Sequence, residues 1–239
     1  MIQERQQAFL GGGMTAYITH TACLGHNMGE GHPEGPERLA AIKDRLMAAQ
    51  VFDFLNQVDA PSVSEAQLAR VHPPKYIEYL ESVQPSVGTY RVDTDTAMNS
   101  GTLEAARHAA GAVVKAVDMV MNGQAPNAFC AIRPPGHHAE TRKAMGFCFF
   151  NNIAVGAMHA IAEHGIERVA ILDFDVHHGN GTEEIFKNDD RVMLLSLFQH
   201  PFFPYCGDKP IGNNPNIVNT PMKSGSKGED VREVVADLW

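Results

Sequence analysis

The sequence is poor in cysteine, in basic residues and in long apolar runs, and each shortage excludes a class of protein. Only four of the 239 residues are cysteines, widely spaced and without a Cys-x-x-Cys pair. That predicts a reducing compartment, the cytoplasm, and argues against a disulfide-rich fold. The net charge of −9 leaves no broad basic surface for direct binding of nucleic acid or anionic lipid. No apolar stretch approaches the ~20 residues of a membrane span, so no membrane partner is expected.

Short apolar runs alternate with helical patterns along most of the chain. Strands are predicted at 17–19, 128–132, 169–174 and 192–197, and helices at 36–49, 73–82, 102–121, 152–164 and 183–186, with a capping box at 64–67 opening a further short helix. This alternation predicts an α/β fold with a mostly parallel sheet, and such folds bind ligands beyond the carboxyl ends of their strands.

The two ends of the chain differ from this pattern. Residues 1–13, polar and ending in three glycines, predict a disordered lead-in to one domain at 14–239. Near the carboxyl end, Val231, Val234, Val235 and Leu238 share one face of a predicted amphipathic helix. That helix reaches Trp239 without a capping residue, so we expect the chain to stop inside a longer domain. The alternative is a terminal helix that docks on the sheet.

The stretch DFDVHHGNG, residues 173–181, is the most informative in the chain. It follows a short apolar run, and side chains alternate along a strand, so Asp173, Asp175 and His177 are expected on one face. Two carboxylates and an imidazole at a strand end predict a divalent-metal site, because buried carboxylates need a metal or another partner.

A second motif, RPPGHHAE at residues 133–140, follows another apolar run. Its prolines and glycine end the strand sharply, which allows His137 and His138 to reach into the same cleft. Histidine titrates near neutrality, so the pair suits proton transfer beside a metal-activated water. A tandem histidine is weak evidence alone and strong evidence beside the first motif.

RPPGHHAE, GFCFFNN at 146–152 and DFDVHHGNGT at 173–182 together resemble the histone deacetylase family of zinc amidohydrolases. That family includes bacterial deacetylase-like amidohydrolases and acetylpolyamine amidohydrolases. The resemblance runs from about Tyr17 to the last residue. Asn180, where class I members carry Asp, makes the chain similar to the class II branch. The resemblance implies an arginase/deacetylase-type three-layer α/β/α fold with a mostly parallel sheet, incomplete at its C-terminal side, with the chain as the N-terminal two-thirds of a complete domain.

The resemblance also implies a catalytic centre. Zn²⁺, or Fe²⁺ as an alternative, would be held by Asp175 and His177. A third ligand, Asp, and an oxyanion-stabilising Tyr or His would fall after Trp239. The implied catalytic residues are His138 as general base, His137 as its electrostatic partner, Asp173 as the carboxylate that holds His137, and Asn180 as the neutral group that orients His138 and leaves it less basic.

Further residues follow from the same resemblance. The acyl-lysine tunnel would be lined by Gly146 and Phe147 and faced by Phe203, with Asp95 at the rim and Asp93 as its rival. Arg38 would line a cavity behind the metal or lie on a helix face as a solvated cation. A monovalent cation, K⁺, would bind at Asp173, Asp175, His177, Ser196 and Leu197.

The leading hypothesis is therefore zinc-dependent hydrolysis of N-acetyl amides. The substrate would be an acetylated lysine peptide or, alternatively, an acetylated polyamine, and the negative net charge favours either cation. Two competing hypotheses are an arginase-type relative with two metals and a catalytically incomplete fragment. The sequence is compatible with a monomer or an oligomer. His20-x-x-Cys23-x-x-His26 with His32 does not match a structural zinc spacing. We expect His32 to lie in a rim loop.

Overall fold

Two parallel sheets form the framework of the protein in the computed structural model, which describes residues 13–209 and 211–238. Residues 1–12 of the predicted lead-in, Pro210 and Trp239 lie outside these ranges. The strands are β1 Ala16–Thr19, β2 Asn56–Asp59, β3 Tyr90–Arg91, β4 Ala97–Met98, β5 Ala128–Cys130, β6 Val169–Asp173, β7 Val192–Gln199 and β8 Ile217–Met222. One sheet has the order β2-β1-β5 and the other β6-β7-β8, while β3 and β4 form a separate antiparallel pair.

Helices connect the parallel strands and cover the sheets. They are α1 Glu37–Ala48, α2 Glu65–Leu68, α3 Pro74–Val83, α4 Thr102–Met121, α5 Asn152–His164, α6 Asn180–Phe186 and α7 Gly228–Leu238. The long helices α4 and α5 pack against each other, and Gly156 of α5 lies so close to Val113 of α4 that a Cβ there would approach it to 2.4 Å. None of the helices described is both long and apolar enough to cross a membrane.

The predicted alternation of strands and helices is confirmed, with local differences. Helix α5 begins and ends where the sequence predicted, because Asn151 caps its first turn and Gly165 ends it in the left-handed region at φ 64°. The Ser64 capping box is present. The helix predicted at 183–186 begins earlier, at Asn180. Strands β2 and β8 and the β3–β4 pair were not predicted, because such short segments carry little periodicity.

The core lies between the sheets and the long helices. Its largest cluster joins Leu68, Leu80, Phe149 and Leu194, all fully buried, to the inner faces of α4 and α5. The cysteines are all free, as the sequence predicted. Strands β5 and β6, each an edge strand within the described residues, end at the two histidine motifs, so the fold brings those motifs to one side of the molecule.

Candidate active site

The loops that follow β5 and β6 meet around one cavity of about 410 Å³. Predicted site residues in its wall are Arg38, Asp95, His137, His138, Gly146, Phe147, Asp175, His177 and Phe203. The rest of the wall is formed by Pro33, Glu34 and Pro135. Asp173 and Asn180 lie behind this wall, where they contact His137 and His138, and Ser196 and Leu197 lie on β7 beside β6. Nine of the predicted site residues therefore line one pocket.

His137 is held from behind by a carboxylate. Its Nδ1 donates to Asp173 Oδ2 over 2.8 Å, which leaves Nε2 as its free ring nitrogen. Burial lowers the pKa of His137, but Asp173 outweighs burial and the net pKa is raised. Gly179 makes this contact possible, since a Cβ there would lie 2.4 Å from Asp173 Oδ2. His137 is thus the more readily protonated member of the pair.

His138 is held by an amide instead. Asn180 directs its Nδ2 to Glu140 Oε1 over 2.9 Å, so its Oδ1 faces His138 and accepts from Nδ1 over 2.9 Å. The neutral His138 ring therefore carries its proton on Nδ1 and a lone pair on Nε2. Burial, followed by the charge of His137, lowers the pKa of His138 to about 3. At neutral pH this imidazole is an unprotonated base.

The segment that contains Gly146 and Phe147 forms one wall of the pocket. Gly146 and Phe147 both adopt left-handed backbone conformations, at φ 55° and 69°. A Cβ on Gly146 would lie 2.3 Å from His138 Cδ2, so only glycine fits beside that ring. Asp95 accepts from the Gly146 backbone N–H over 3.2 Å, whereas its rival Asp93 faces Lys143 at 3.7 Å. Asp95 is the pocket aspartate of the two.

Aromatic rings form the facing wall. Phe203 meets the His138 ring edge-on, with centroids 5.1 Å apart. Phe202, which was not predicted as a site residue, stacks on His177 at 5.1 Å. Across the pocket, Phe147 meets the predicted rim residue His32 at 4.6 Å. The pocket thus offers an apolar entrance to a polar floor.

The two predicted metal donors lie together on the open side of the pocket. Asp175 Oδ1 is 2.9 Å from His177 Nδ1, and both atoms can serve one cation. Phe174 and Val176, on either side of Asp175, are exposed, and half of the Asp175 side chain is exposed as well, so the alternation of burial predicted for this stretch does not continue past the end of β6. The donor types fit zinc. Within the described residues, no third carboxylate, imidazole or thiolate completes a three-donor group with them.

The predicted monovalent-cation residues surround the end of β6. Ser196 of β7 is the register partner of Asp173, and Leu197 is its buried neighbour. The hydroxyl of Ser196 is buried and lacks a hydrogen-bond partner among the described residues. A buried hydroxyl oxygen without a partner is available as a cation ligand.

A buried ion pair that the sequence did not predict ties the rim loop to the histidine loop. Arg133 is fully buried and forms two hydrogen bonds, of 2.7 and 2.8 Å, with the carboxylate of Glu34. It also donates to the carbonyls of Cys23 and His26. The signal was available: an arginine directly after an apolar strand must find a partner. Arg38, half-exposed, lines the pocket close to Glu34.

Among the described residues, His20, Cys23, His26 and His32 do not bring three potential metal-donor atoms together. Cys23 and His26 are buried, and His26 Nδ1 pairs with the hydroxyl of Thr102. His20 stacks on His108 at 3.6 Å. These side chains make packing contacts, and His32, expected in a rim loop, packs edge-on against Phe147 of the pocket wall.

Comparison with known proteins relates the chain to one family. A family model described as the histone deacetylase domain matches residues 32–239. A histone deacetylase-like amidohydrolase of Pseudomonas aeruginosa is 43% identical over 186 residues, covering 77% of this chain and 49% of that protein. A probable deacetylase of Archaeoglobus fulgidus is 36% identical and covers 94% of this chain and 64% of its own length. The crystal structure of the HDA15 HD domain superposes with a TM-score of 0.82 at 36% identity, covering 87% and 62%.

The chain therefore belongs to the histone deacetylase family and has the arginase/deacetylase-type α/β fold, as the motifs predicted. Its named relatives are amidohydrolases and deacetylases. It spans 49% and 64% of the length of the two relatives above and 62% of the structural match.

Proposed function

We propose that the polypeptide to which this chain belongs is a zinc-dependent deacetylase that hydrolyses the N-acetyl amide of lysine side chains in a reducing compartment, the cytoplasm. The observation that carries this is the pair of imidazoles in the pocket. Each has its Nδ1 occupied by a hydrogen-bond partner and its Nε2 free, and their pKa values are moved in opposite directions. Titratable neighbours whose pKa values are pushed apart are typical of acid–base catalysis.

Asp175 and His177 would hold the zinc, together with a third protein ligand that the described residues do not supply. Bound zinc supplies Lewis acidity, which polarises the amide carbonyl and lowers the pKa of a coordinated water. Fe²⁺ could serve at the same donors, and a K⁺ at Asp173, Asp175, His177, Ser196 and Leu197 would fix the loop after β6.

His138 is the general base in this proposal. Its Nε2 accepts the proton of the attacking water, while Asn180 keeps the ring in the tautomer that makes this possible. The same nitrogen then returns the proton to the departing lysine amine. His137, paired with Asp173, is the electrostatic partner that favours the developing negative charge.

The pocket suits an acylated aliphatic chain. Phe147 and Phe203 offer aromatic walls to the methylene stem, and Asp95 at the rim could accept a hydrogen bond from the substrate backbone. A polyamine has the same stem and a second cation, so the acetyl-lysine peptide and the acetylated polyamine must be compared directly.

The test assays the 239-residue chain and a polypeptide extended to the length of its relatives, each with added zinc, on an acetyl-lysine peptide and an acetylated polyamine. We expect the extended form to release acetate from the peptide. His138→Ala should reduce kcat by about 10²–10⁴-fold. His108→Ala, outside the pocket, should leave it unchanged. An extended form that is inactive on both substrates, or indifferent to His138→Ala, would refute the proposal. Full activity of the short chain would refute the need for a further ligand.

A further inference from the structure

A second group of potential metal ligands lies between the two long helices. Asp118 of α4 accepts hydrogen bonds through one oxygen, Oδ1, from Nε2 of His159 and Nε2 of His164, both on α5 and both over 2.7 Å. The three donor atoms lie within 4.8 Å of one another. His164 is twelve residues along α5 from Asn152, or roughly 18 Å from the pocket end of that helix. This cluster is separate from the candidate active site.

From this convergence we propose a second divalent-cation site, for zinc or a chemically similar transition metal, held by Asp118, His159 and His164. Two imidazoles and a carboxylate are a donor set that zinc accepts, with a fourth position left for water. The side chains are only partly open, with 36% of Asp118, 5% of His159 and 15% of His164 exposed. A cation there would cross-link α4 to α5 and stabilise their packing, independently of the deacetylase proposal.

In the metal-free cluster, the Nε2 atoms of His159 and His164 carry the protons that they donate to Asp118, so neither offers a lone pair to a cation. Arg70 can only donate, and its Nη1 lies 3.1 Å from His159 Nδ1, so the His159 proton must be on Nε2, directed at Asp118. Binding a cation requires that proton to leave Nε2 and the donor atoms to move apart from hydrogen-bond distance to metal-ligand geometry. It also requires Nδ1 to become a donor, which expels Arg70.

Arg70 can move away from His159 and keep a carboxylate partner. Its other terminal nitrogen already pairs with Glu163, whose side chain is 51% exposed, so the guanidinium can turn toward that carboxylate and solvent. Arg70 therefore competes with the cation for the cluster. This gives an unusual prediction, because removing a charged, hydrogen-bonded side chain should improve metal binding.

The experiment titrates Co²⁺, followed by its visible absorption, into the full 239-residue chain carrying His177→Ala, which disables the donors of the active-site pocket. We expect one equivalent to bind and zinc to displace it. His164→Ala should weaken binding by more than tenfold, since even outer-shell partners of a metal site contribute about 10–100-fold. Arg70→Met should tighten binding. The matched control His108→Ala, on the same α4 helix but outside the cluster, should leave it unchanged.

Folding is checked separately by far-ultraviolet circular dichroism and by melting with and without Co²⁺, and His164→Gln is a milder second variant. The proposal predicts a Co²⁺-dependent rise in Tm that both His164 variants abolish and Arg70→Met enlarges. Equal Co²⁺ affinity in the parent and both His164 variants would overturn it. So would weaker binding in Arg70→Met, because the cluster would then be a hydrogen-bonded clamp in which Arg70 has a supporting role.

Discussion

The two sides of the candidate pocket are built in opposite ways. On the buried side, His137 and His138 are each held by a partner behind them, and only 4% of His138 is exposed. On the open side, 50% of the Asp175 side chain and 35% of the His177 side chain face solvent. These two side chains are hydrogen-bonded to each other, and His177 also stacks on Phe202. The stronger of the two sequence motifs, residues 173–181, supplies the open side, so the strength of a motif did not determine the burial of its side chains.

The difference separates two requirements of the proposed chemistry. A general base needs a fixed tautomer and a fixed position, which packing and hydrogen bonds provide before any ligand binds. A metal ligand needs an accessible lone pair, and its final geometry depends on the cation and the remaining ligand. The buried side should therefore govern stability, and the open side should govern metal affinity.

The largest expected effect is a loss of stability in acid caused by buried histidines. Burial is the main reason that the pKa values of His26 and His138 are lowered to about 3 and that of His72 to about 4. An unfolded histidine titrates near 6.5, so below that pH the unfolded chain binds more protons than the folded one. Stability is complete above about pH 6.5 and is lost as the pH falls toward 4.

At pH 5 each of these histidines should cost about 2 kcal/mol. Urea unfolding at pH 7.5 and pH 5 measures the effect. His72→Gln should flatten the pH dependence, and His177→Ala, on the open side, should not. If the free energy of unfolding falls equally with pH in the parent, His72→Gln and His177→Ala, buried His72 does not cause the loss of stability in acid.

Breaking the buried ion pair is the next largest change. Glu34→Ala leaves Arg133 buried and unpaired, and we expect a loss of about 3–5 kcal/mol in the free energy of unfolding. Glu163→Ala removes an exposed partner of Arg70 and should cost less than about 1 kcal/mol. The double change Glu34→Leu with Arg133→Met should recover much of the loss. Similar costs for Glu34→Ala and Glu163→Ala would show that Arg133 finds solvent.

The amide of Asn180 offers a sharper test of the buried side. Asn180→Asp places a negative charge beside His138 and should raise the pKa of His138 by about one unit or more, measured by NMR titration. The new carboxylate also faces Glu140, so this variant should lose about 1 kcal/mol of stability. Adding Glu140→Gln should restore stability while keeping part of the raised pKa. An unchanged pKa would mean that Asn180 does not set the basicity of His138.

The smallest effect on stability is expected on the open side. His177→Ala removes a partly exposed side chain and should change the free energy of unfolding by less than about 0.5 kcal/mol. Zinc affinity at the pocket should nevertheless fall by more than tenfold in the extended polypeptide, measured by competition with a chromogenic chelator. If His177→Ala causes a large loss of stability in the absence of zinc, the side of the pocket formed by Asp175 and His177 is also packed before the metal binds.

The sequence alone determined the chemistry-bearing loops and the elements that carry them. The motif after β6 predicted that Asp175 and His177 lie together, and the helical pattern predicted both ends of α5. These are local properties, set by backbone geometry over a few residues, so the sequence displays them directly.

Only the tertiary structure decided which distant side chains meet. Glu34 and Arg133 are 99 residues apart, Glu140 and Asn180 are 40 apart, and Asp118 and His159 are 41 apart. The tertiary structure also decided that Asp95, and not Asp93, lines the pocket. It buries the side formed by His137 and His138 and leaves the side formed by Asp175 and His177 open. Periodicity reports the faces of single elements, whereas contacts across such separations depend on how all elements pack together, and no local pattern encodes that.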